Sequence, residues 1–408
     1  MVQPTRFIAL TVSIILTMTA CTSSDGTNVA DPDKVTLGET AVAFYLSPET
    51  YLDSNSSTEK DPAYLVLAKP DGSSQMIETS GMNEAHIAWS ENGLFFSDDK
   101  RDYILGKNGL VSFENKKSGL QQSAFALPDG KGFVAIYNEG LSDSGYSNQV
   151  AVTTSTGSEL YQVEGNYYMN ASCAGALYGI ATQPGSHFPA SANVPGMRSK
   201  ADPGAEPELL SRLYPPAEGH EKVIAWRAAF DAADHNRHVP CHDGVITFLS
   251  DYTDGDGAPH LTIVSWDTRN GEYKEQPLVD TQGRSIDTEL IELEEFSAKS
   301  YDARAMRDGH LEWLSADGRI MSTELASGVT KPRFDTGFTT GAGSSSQVAF
   351  TDRSIHVIRE VFDGETPVKV KRFDRVTGNL TTEITVPGTT ERLGLKFNLR
   401  GMAVPPSA

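Results

Sequence analysis

The chain has 408 residues, with 54 aspartates and glutamates against 34 lysines and arginines, a formal charge of −20 at pH 7. A surface this acidic repels nucleic-acid phosphates and anionic lipid headgroups, which excludes gripping a phosphate backbone and keeps a folded body soluble. The length allows one large domain or two ordinary ones.

The first element is a leader. Residues 1–6 end in one positive charge at Arg6, an apolar run follows over 7–16, and Ala20 precedes Cys21. That order describes a secretory signal peptide over residues 1–20, too short for a membrane span, which needs about 20 apolar residues. Met18-Thr19-Ala20-Cys21 resembles the bacterial lipobox, in which a peptidase cuts before the cysteine and its thiol carries lipid. Leucine is usual where Met18 stands, and here it sits at Leu16. The resemblance implies a lipid-attached (acylated) Cys21 and a protein held on the cell membrane, facing outward. The plainer alternative is a secreted chain with an incidental cysteine. Removing residues 1–20 takes away Arg6 and no acid, moving the charge from −20 to −21. Residues 21–40 read as a polar tether, with little apolar material beyond Val29 and Ala30 to fold around.

From 41 to 400 the chain is a series of short β-rich runs, without sustained helical periodicity. One hairpin recurs: an apolar run, a tight turn closed by glycine, and a more polar run. It appears at 64–77, 102–113, 149–163, 261–271, 310–321 and 368–384. Glycine suits turns that need positive φ. A second turn alternates with it, at 87–96, 125–136, 172–180, 240–249 and 348–357. The run after this second turn is apolar almost throughout, as in a strand buried on both faces. Two alternating turns at a period of about 40 to 60 residues predict one four-stranded sheet per repeat.

That period resembles the β-propellers, of the WD40-like and quinoprotein-like kinds. Ser265-Trp266-Asp267 with Asn270-Gly271 is similar to the tryptophan–aspartate end of a WD40 repeat's third strand, and Phe373-Asp374 with Thr377-Gly378 echoes it. The paired glycines of kelch repeats and the aspartate boxes of sialidases are missing. The resemblance implies an all-β chain forming a single ring of seven blades, each of four antiparallel strands. A seventh glycine turn, at 218–221, sits in a blade enlarged by an insertion at 183–222. Six or eight blades, or two packed β-sandwiches, remain alternatives. Closure is expected where 393–399 pairs with the first repeat, leaving 401–408 as a tail.

Three groups of residues invite chemistry. Aligning the second turn places Cys173 and Cys241 at the same point in successive repeats, hence on neighbouring innermost strands. Once Cys21 is lipidated they form an even pair in an oxidising compartment, and a disulfide between them is expected. His235, His238 and His242 with Asp243 form the densest polar cluster and could offer ligands to zinc or copper, although a polar loop at the channel mouth is the blander reading. Asp251, Asp254 and Asp256 resemble a calcium loop but lack its ordered acids, and a long hairpin turn accounts for them. No cofactor is predicted beyond these zinc or calcium options.

The insertion carries seven prolines, with one plausible helical turn at 206–214 and Pro207 at its start. No Gly-x-Ser-x-Gly, phosphate loop or His-Glu-x-x-His occurs. The expected function is therefore a noncatalytic binding or scaffold propeller for an unknown small ligand or protein partner, with no nucleic acid, docking near the insertion and the histidine-rich turn. A secreted hydrolase or lyase with its site at the channel mouth is the alternative. A structural envelope subunit is a third possibility.

Overall fold

The computed structural model describes residues 27–48, 62–82, 84–127, 130–143, 145–181, 206–218, 220–229, 238–253, 259–290, 301–338, 344–361, 363, 365–389 and 397–408. They form seven sheets, each a blade of four antiparallel strands, with one extra strand on the first. Blade 1 contains β2 (Val42–Pro48), β3 (Pro62–Ala68) and β4 (Ser74–Ser80), with β29 (Phe397–Ala403) inside and β1 (Thr27–Val29) outside. Blade 2 is β5 (Ala88–Ser90), β6 (Gly93–Ser97), β7 (Arg101–Gly106) and β8 (Gly109–Glu114); blade 3 is β9 (Gln121–Ala126), β10 (Gly132–Ser142), β11 (Gly145–Thr154) and β12 (Gly157–Glu164). Blade 4 is β13 (Tyr167–Cys173), β14 (Ala176–Ala181), β15 (Glu206–Ala217) and β16 (His220–Ala229); blade 5 is β17 (Cys241–His242), β18 (Val245–Thr253), β19 (Pro259–Asp267) and β20 (Tyr273–Pro277). Blade 6 is β21 (Met306–Arg307), β22 (His310–Leu314), β23 (Arg319–Glu324) and β24 (Thr330–Asp335); blade 7 is β25 (Ser344–Phe350), β26 (Ser354–Val361), β27 (Val368–Asp374) and β28 (Leu380–Val386).

The burial pattern follows each strand's place in its blade. Second strands such as β6 are buried along their whole length, because a blade's middle is covered on both faces by its neighbours. Outer strands such as β28 leave alternate residues in solvent. The chain's end closes the ring: β29 supplies the innermost strand of blade 1, pairing Phe397 to Ala403 antiparallel with Pro48 to Ala43. The residues expected as a tail after 400 are partly this strand, and Ala408 then docks by accepting the Thr351 hydroxyl at 2.9 Å.

Three expectations need correction. The turn at 316–318 joins the second and third strands of blade 6, not the third and fourth. The true first turn of that blade, Asp308-Gly309, follows a two-residue strand too short to show periodicity. The segment at 206–214 is not a helical turn but most of β15, whose residues 209–212 pair with β14 and with β16. Leu209, Leu210 and Leu213 are all buried there, so packing between two strands overrides the weak helical signal of Pro207 at its start. The tether is also not wholly without structure, since Thr27–Val29 lies parallel to β4, pairing Thr27 with Ser74.

Charged residues pin the blades together. Asp102 of blade 2 meets Lys117 at 2.9 Å and accepts the Ser158 hydroxyl of blade 3 at 2.8 Å. Arg227 of blade 4 reaches Glu208 of its own blade and Glu275 of blade 5, and lies over the rings of Phe248, Trp266 and Tyr273. Glu312 of blade 6 meets Arg375 of blade 7 at 2.6 Å. Glu360 of blade 7 accepts the Leu399 N–H of blade 1 at 2.7 Å. Turns also pack across the seams. Gly328, at φ +71°, lies so close to the Pro277 carbonyl of blade 5 that a β-carbon would overlap it.

Because strands alternate in direction, first-to-second and third-to-fourth turns lie on one face of the ring, here the turn face. Second-to-third loops and the links between blades lie on the other, the loop face.

Candidate functional site

At the turn-face end of the innermost strands, Cys173 of β13 and Cys241 of β17 are disulfide-bonded, with Cα atoms 5.4 Å apart. The bond ties blades 4 and 5 where the aligned repeats place both thiols.

His238 lies just ahead of β17 and forms a parallel bridge with Asn170 of β13. The Val239 N–H donates to the Asn170 carbonyl at 2.9 Å, which holds this segment along the channel wall. Its imidazole then reaches blade 3, where Nε2 accepts the Ala124 N–H of β9 at 3.1 Å. An edge strand carries unpaired amides, and here an imidazole satisfies one in place of a further strand. Nε2 as acceptor makes the ring the neutral tautomer with its proton on Nδ1, an assignment that follows from the hydrogen bond. The same ring stands edge-on to His86 of the blade 2 lead-in and to Phe125, with centroids 4.8 Å away in each case. The His86 N–H donates to Gln121 Oε1 at 2.5 Å, and the Gln121 N–H donates to the Glu84 carbonyl at 3.1 Å. Lead-ins from blades 2 and 5 therefore meet across the innermost strand of blade 3.

Part of the inner wall is polar and uncharged. Gln122, Ser123, Asn170, Ser346 and Gln347, all buried on β9, β13 and β25, each keep a side-chain oxygen without a hydrogen-bond partner among the described residues. Such oxygens suit hydroxyl, amide or water partners.

The predicted residues fall in different surroundings. His238 is buried, and its Nε2 is committed to Ala124. His242 is 71% exposed beside Asp243, their side chains 3.4 Å apart in the turn between β17 and β18. His235 lies outside the described residues. Among the described residues no group of three or more His, Cys, Asp or Glu is gathered to hold a metal ion. Asp251 is part of β18, opposite Leu261 in the β18–β19 hairpin, while Asp254 and Asp256 lie outside the described residues. Cys21 and the leader do as well, and no described helix is long and apolar enough to cross a membrane.

His86 escaped the sequence reading. It stands seven residues before the turn glycine Gly93, much as His238 stands six before Gly244, so the aligned repeats carried the signal. The expected docking place also divides in two. The insertion links β14 to β15 on the loop face, whereas the His242–Asp243 turn lies on the turn face.

The loop face carries a cleft of about 590 Å³ beside blade 2, lined by Asp98, Asp99, Lys100, Arg101, Tyr103 and the 114–116 segment. Asp98 organises its floor. One carboxylate oxygen accepts the N–H groups of Lys100 and Arg101 at 2.8 and 2.7 Å, and the other accepts the Tyr103 hydroxyl at 2.8 Å. Burial first, and then the Asp98 charge, push the Tyr103 phenol well above its ordinary range, so it stays a donor. Both cations and acids line the cleft, which favours a zwitterionic or hydrogen-bonding guest over a simple ion. The loop face is also drawn out at blade 3, where β10 and β11 stay paired to Ser142 and Gly145.

Residues 35–188 match a family model described as YycP, beta-propeller domain. No curated protein matches the chain. Similar solved structures include a hypothetical selenium-binding protein from Sulfolobus tokodaii, at 11% identity over 90% of this chain and 93% of that one, TM-score 0.47. A puromycin-hydrolyzing peptidase of Mycobacterium tuberculosis shares 14% over 86% of this chain and 55% of that one, TM-score 0.42. Apo AztD from Citrobacter koseri shares 12% over 89% and 98%, TM-score 0.38. At identities and TM-scores this low these likenesses carry no argument about activity. The family model and the seven closed sheets agree that the protein is an all-β, seven-bladed propeller.

Proposed function

We propose that this protein is an exported propeller, anchored to the cell membrane through Cys21, that serves as a noncatalytic binding or scaffold module and engages its ligand or partner with the loop face. One observation carries the reading: the β10–β11 hairpin of blade 3 stays paired out to Ser142 and Gly145 on the loop face, the same face that holds the cleft of blade 2. Loops raised on a rigid β scaffold are where such folds place recognition. The His238 ring supports it too, because its Nε2 is already bonded to the Ala124 N–H and its ring stands edge-on to His86. The leader and the lipobox-like Met18–Cys21 stretch supply the address.

The test replaces residues 183–204 by a short glycine–serine connector and treats intact cells with an amine-reactive crosslinker. The reading expects a discrete crosslinked species with the parent chain and its loss in the shortened one, with unchanged thermal unfolding of the ring. An unaltered species in the shortened chain would move recognition away from this face.

A further inference from the structure

The geometry points to a fixed orientation on the membrane: we infer that the turn face at blades 7 and 1 rests on the lipid surface, with Val376 and Leu380 at the headgroup level. This rests on the proposed anchoring through Cys21.

The first step is the length of chain between anchor and ring. Thr27 opens β1 and pairs with Ser74, the first residue of β4. Since β4 runs from the turn face to the loop face, the anchored chain joins the ring at its turn-face rim. Only residues 22–26 separate Cys21 from Thr27. At full extension those links span about 20 Å. The seven residues of β4 are themselves about 23 Å long, at about 3.3 Å each. The tether therefore cannot lead round to the loop face and lay it on the bilayer; it draws the turn face down.

The second step is what stands beside that rim. Blade 7 is the neighbour of blade 1 in the ring, and its third-to-fourth turn lies on the same face as the third-to-fourth turn of blade 1. The turn between β27 and β28 carries Val376, 65% exposed, and Leu380, 51% exposed, two of the few large apolar side chains left in solvent among the described residues. Arg333 holds this turn by donating to the Arg375 and Val376 carbonyls, at 2.5 and 3.2 Å.

The third step is charge. Residues 301–400, which hold blades 6 and 7 and the first residues of β29, have 14 lysines and arginines against 13 acids, whereas residues 1–300 have 20 against 41. The acidic excess that repels anionic headgroups thus lies in residues 1–300, β2 to β4 of blade 1 included. The tether brings blade 1 to the surface, and blade 7 beside it is the near-neutral part of the ring that can approach the headgroups with its apolar tips. The same orientation points the loop face away from the membrane, where a partner can reach it.

The test uses the full lipidated chain, purified from membranes and reconstituted into vesicles of phosphatidylcholine with a minority of phosphatidylglycerol. Single variants Val376→Cys, Leu380→Cys and Leu141→Cys carry a nitroxide label; Leu141, 69% exposed near the tip of the β10–β11 hairpin, marks the loop face. Labels at 376 and 380 should be relaxed more by lipid-soluble oxygen than by a water-soluble nickel chelate, by several-fold, and the label at 141 the reverse. If the protein floats with the vesicles and mass spectrometry finds Cys21 acylated, yet 376 and 380 behave like 141, the orientation is wrong and the anchor stands. If Cys21 is unmodified and the protein does not float, the anchor fails and the orientation fails with it.

Discussion

Replacing Arg227 by methionine should be among the most damaging single changes in the ring. Its side chain is 3% exposed and that of its partner Glu208 is fully buried, so the substitution leaves a carboxylate in the blade 4–5 seam. Only the Tyr168 hydroxyl, donating at 2.5 Å to Glu208, would remain to it. Breaking one member of a buried pair costs about 3–5 kcal/mol, because the stranded charge loses both water and partner. At roughly 2–4 °C per kcal/mol, the melting temperature should fall by roughly 6–20 °C. Replacing both residues, Arg227→Met with Glu208→Leu, removes the stranded charge and should recover most of the loss. Denaturant unfolding of parent, single and double variants measures this. A double variant no more stable than the Arg227→Met single would refute the reasoning, since the cost would then lie in packing against Phe248, Trp266 and Tyr273 and not in the orphaned carboxylate.

Burial raises the Glu360 carboxyl to about 8 from an ordinary value of 4.5, so between those values the native state keeps a proton that the unfolded chain has lost. Stability therefore falls as pH rises through that window, on the order of 1.4 kcal/mol per unit. Glu360→Gln should raise the melting temperature at pH 8 and lose that advantage near pH 5, as scanning calorimetry would show; an equal shift at both values would contradict it. His356, held near 3 by burial and by the nearby arginines Arg372 and Arg304, works on the other side. Its contribution is lost as pH falls from 6.5 toward 3, because only the unfolded chain takes up the proton. Exchanging both Cys173 and Cys241 for alanine opens a loop of 68 residues and should cost up to about 4 kcal/mol in urea unfolding; no change would mean that the bond adds nothing to the seam. Gly328→Ala should destabilise more than Gly283→Ala, since both have positive φ but only Gly328 faces a neighbouring backbone; equal melting temperatures would refute that packing argument.

The ring was legible because its two turn types repeat with strand-length spacing, and the disulfide because aligned turns place equivalent residues on adjacent inner strands. Blade 6 slipped by one strand for a physical reason: Met306–Arg307 is only two residues long, and Asp308-Gly309 looks like any loop. The strand at 206–217 was hidden because Pro207 at its start, and Pro215 and Pro216 near its end, argue against strand on local grounds, while its burial comes from β14 and β16. The channel histidines were only half visible. His238 stood out in a polar run but was weighed as a metal ligand, because no local pattern says that its ring will cap the Ala124 amide of another blade. His86 sat unnoticed in an apolar lead-in. Which face carries the long connections emerges only from strand direction in the closed ring.

The central claim is that recognition occurs on the loop face. A photo-crosslinking residue placed at Leu141 and, separately, at Val376 in cells tests it most directly, since both positions are exposed and lie on opposite faces. The account predicts a discrete protein or ligand adduct from position 141 and none but lipid from position 376. A protein adduct from 376 with nothing at 141 would contradict it, and would place the working surface on the side that the tether faces.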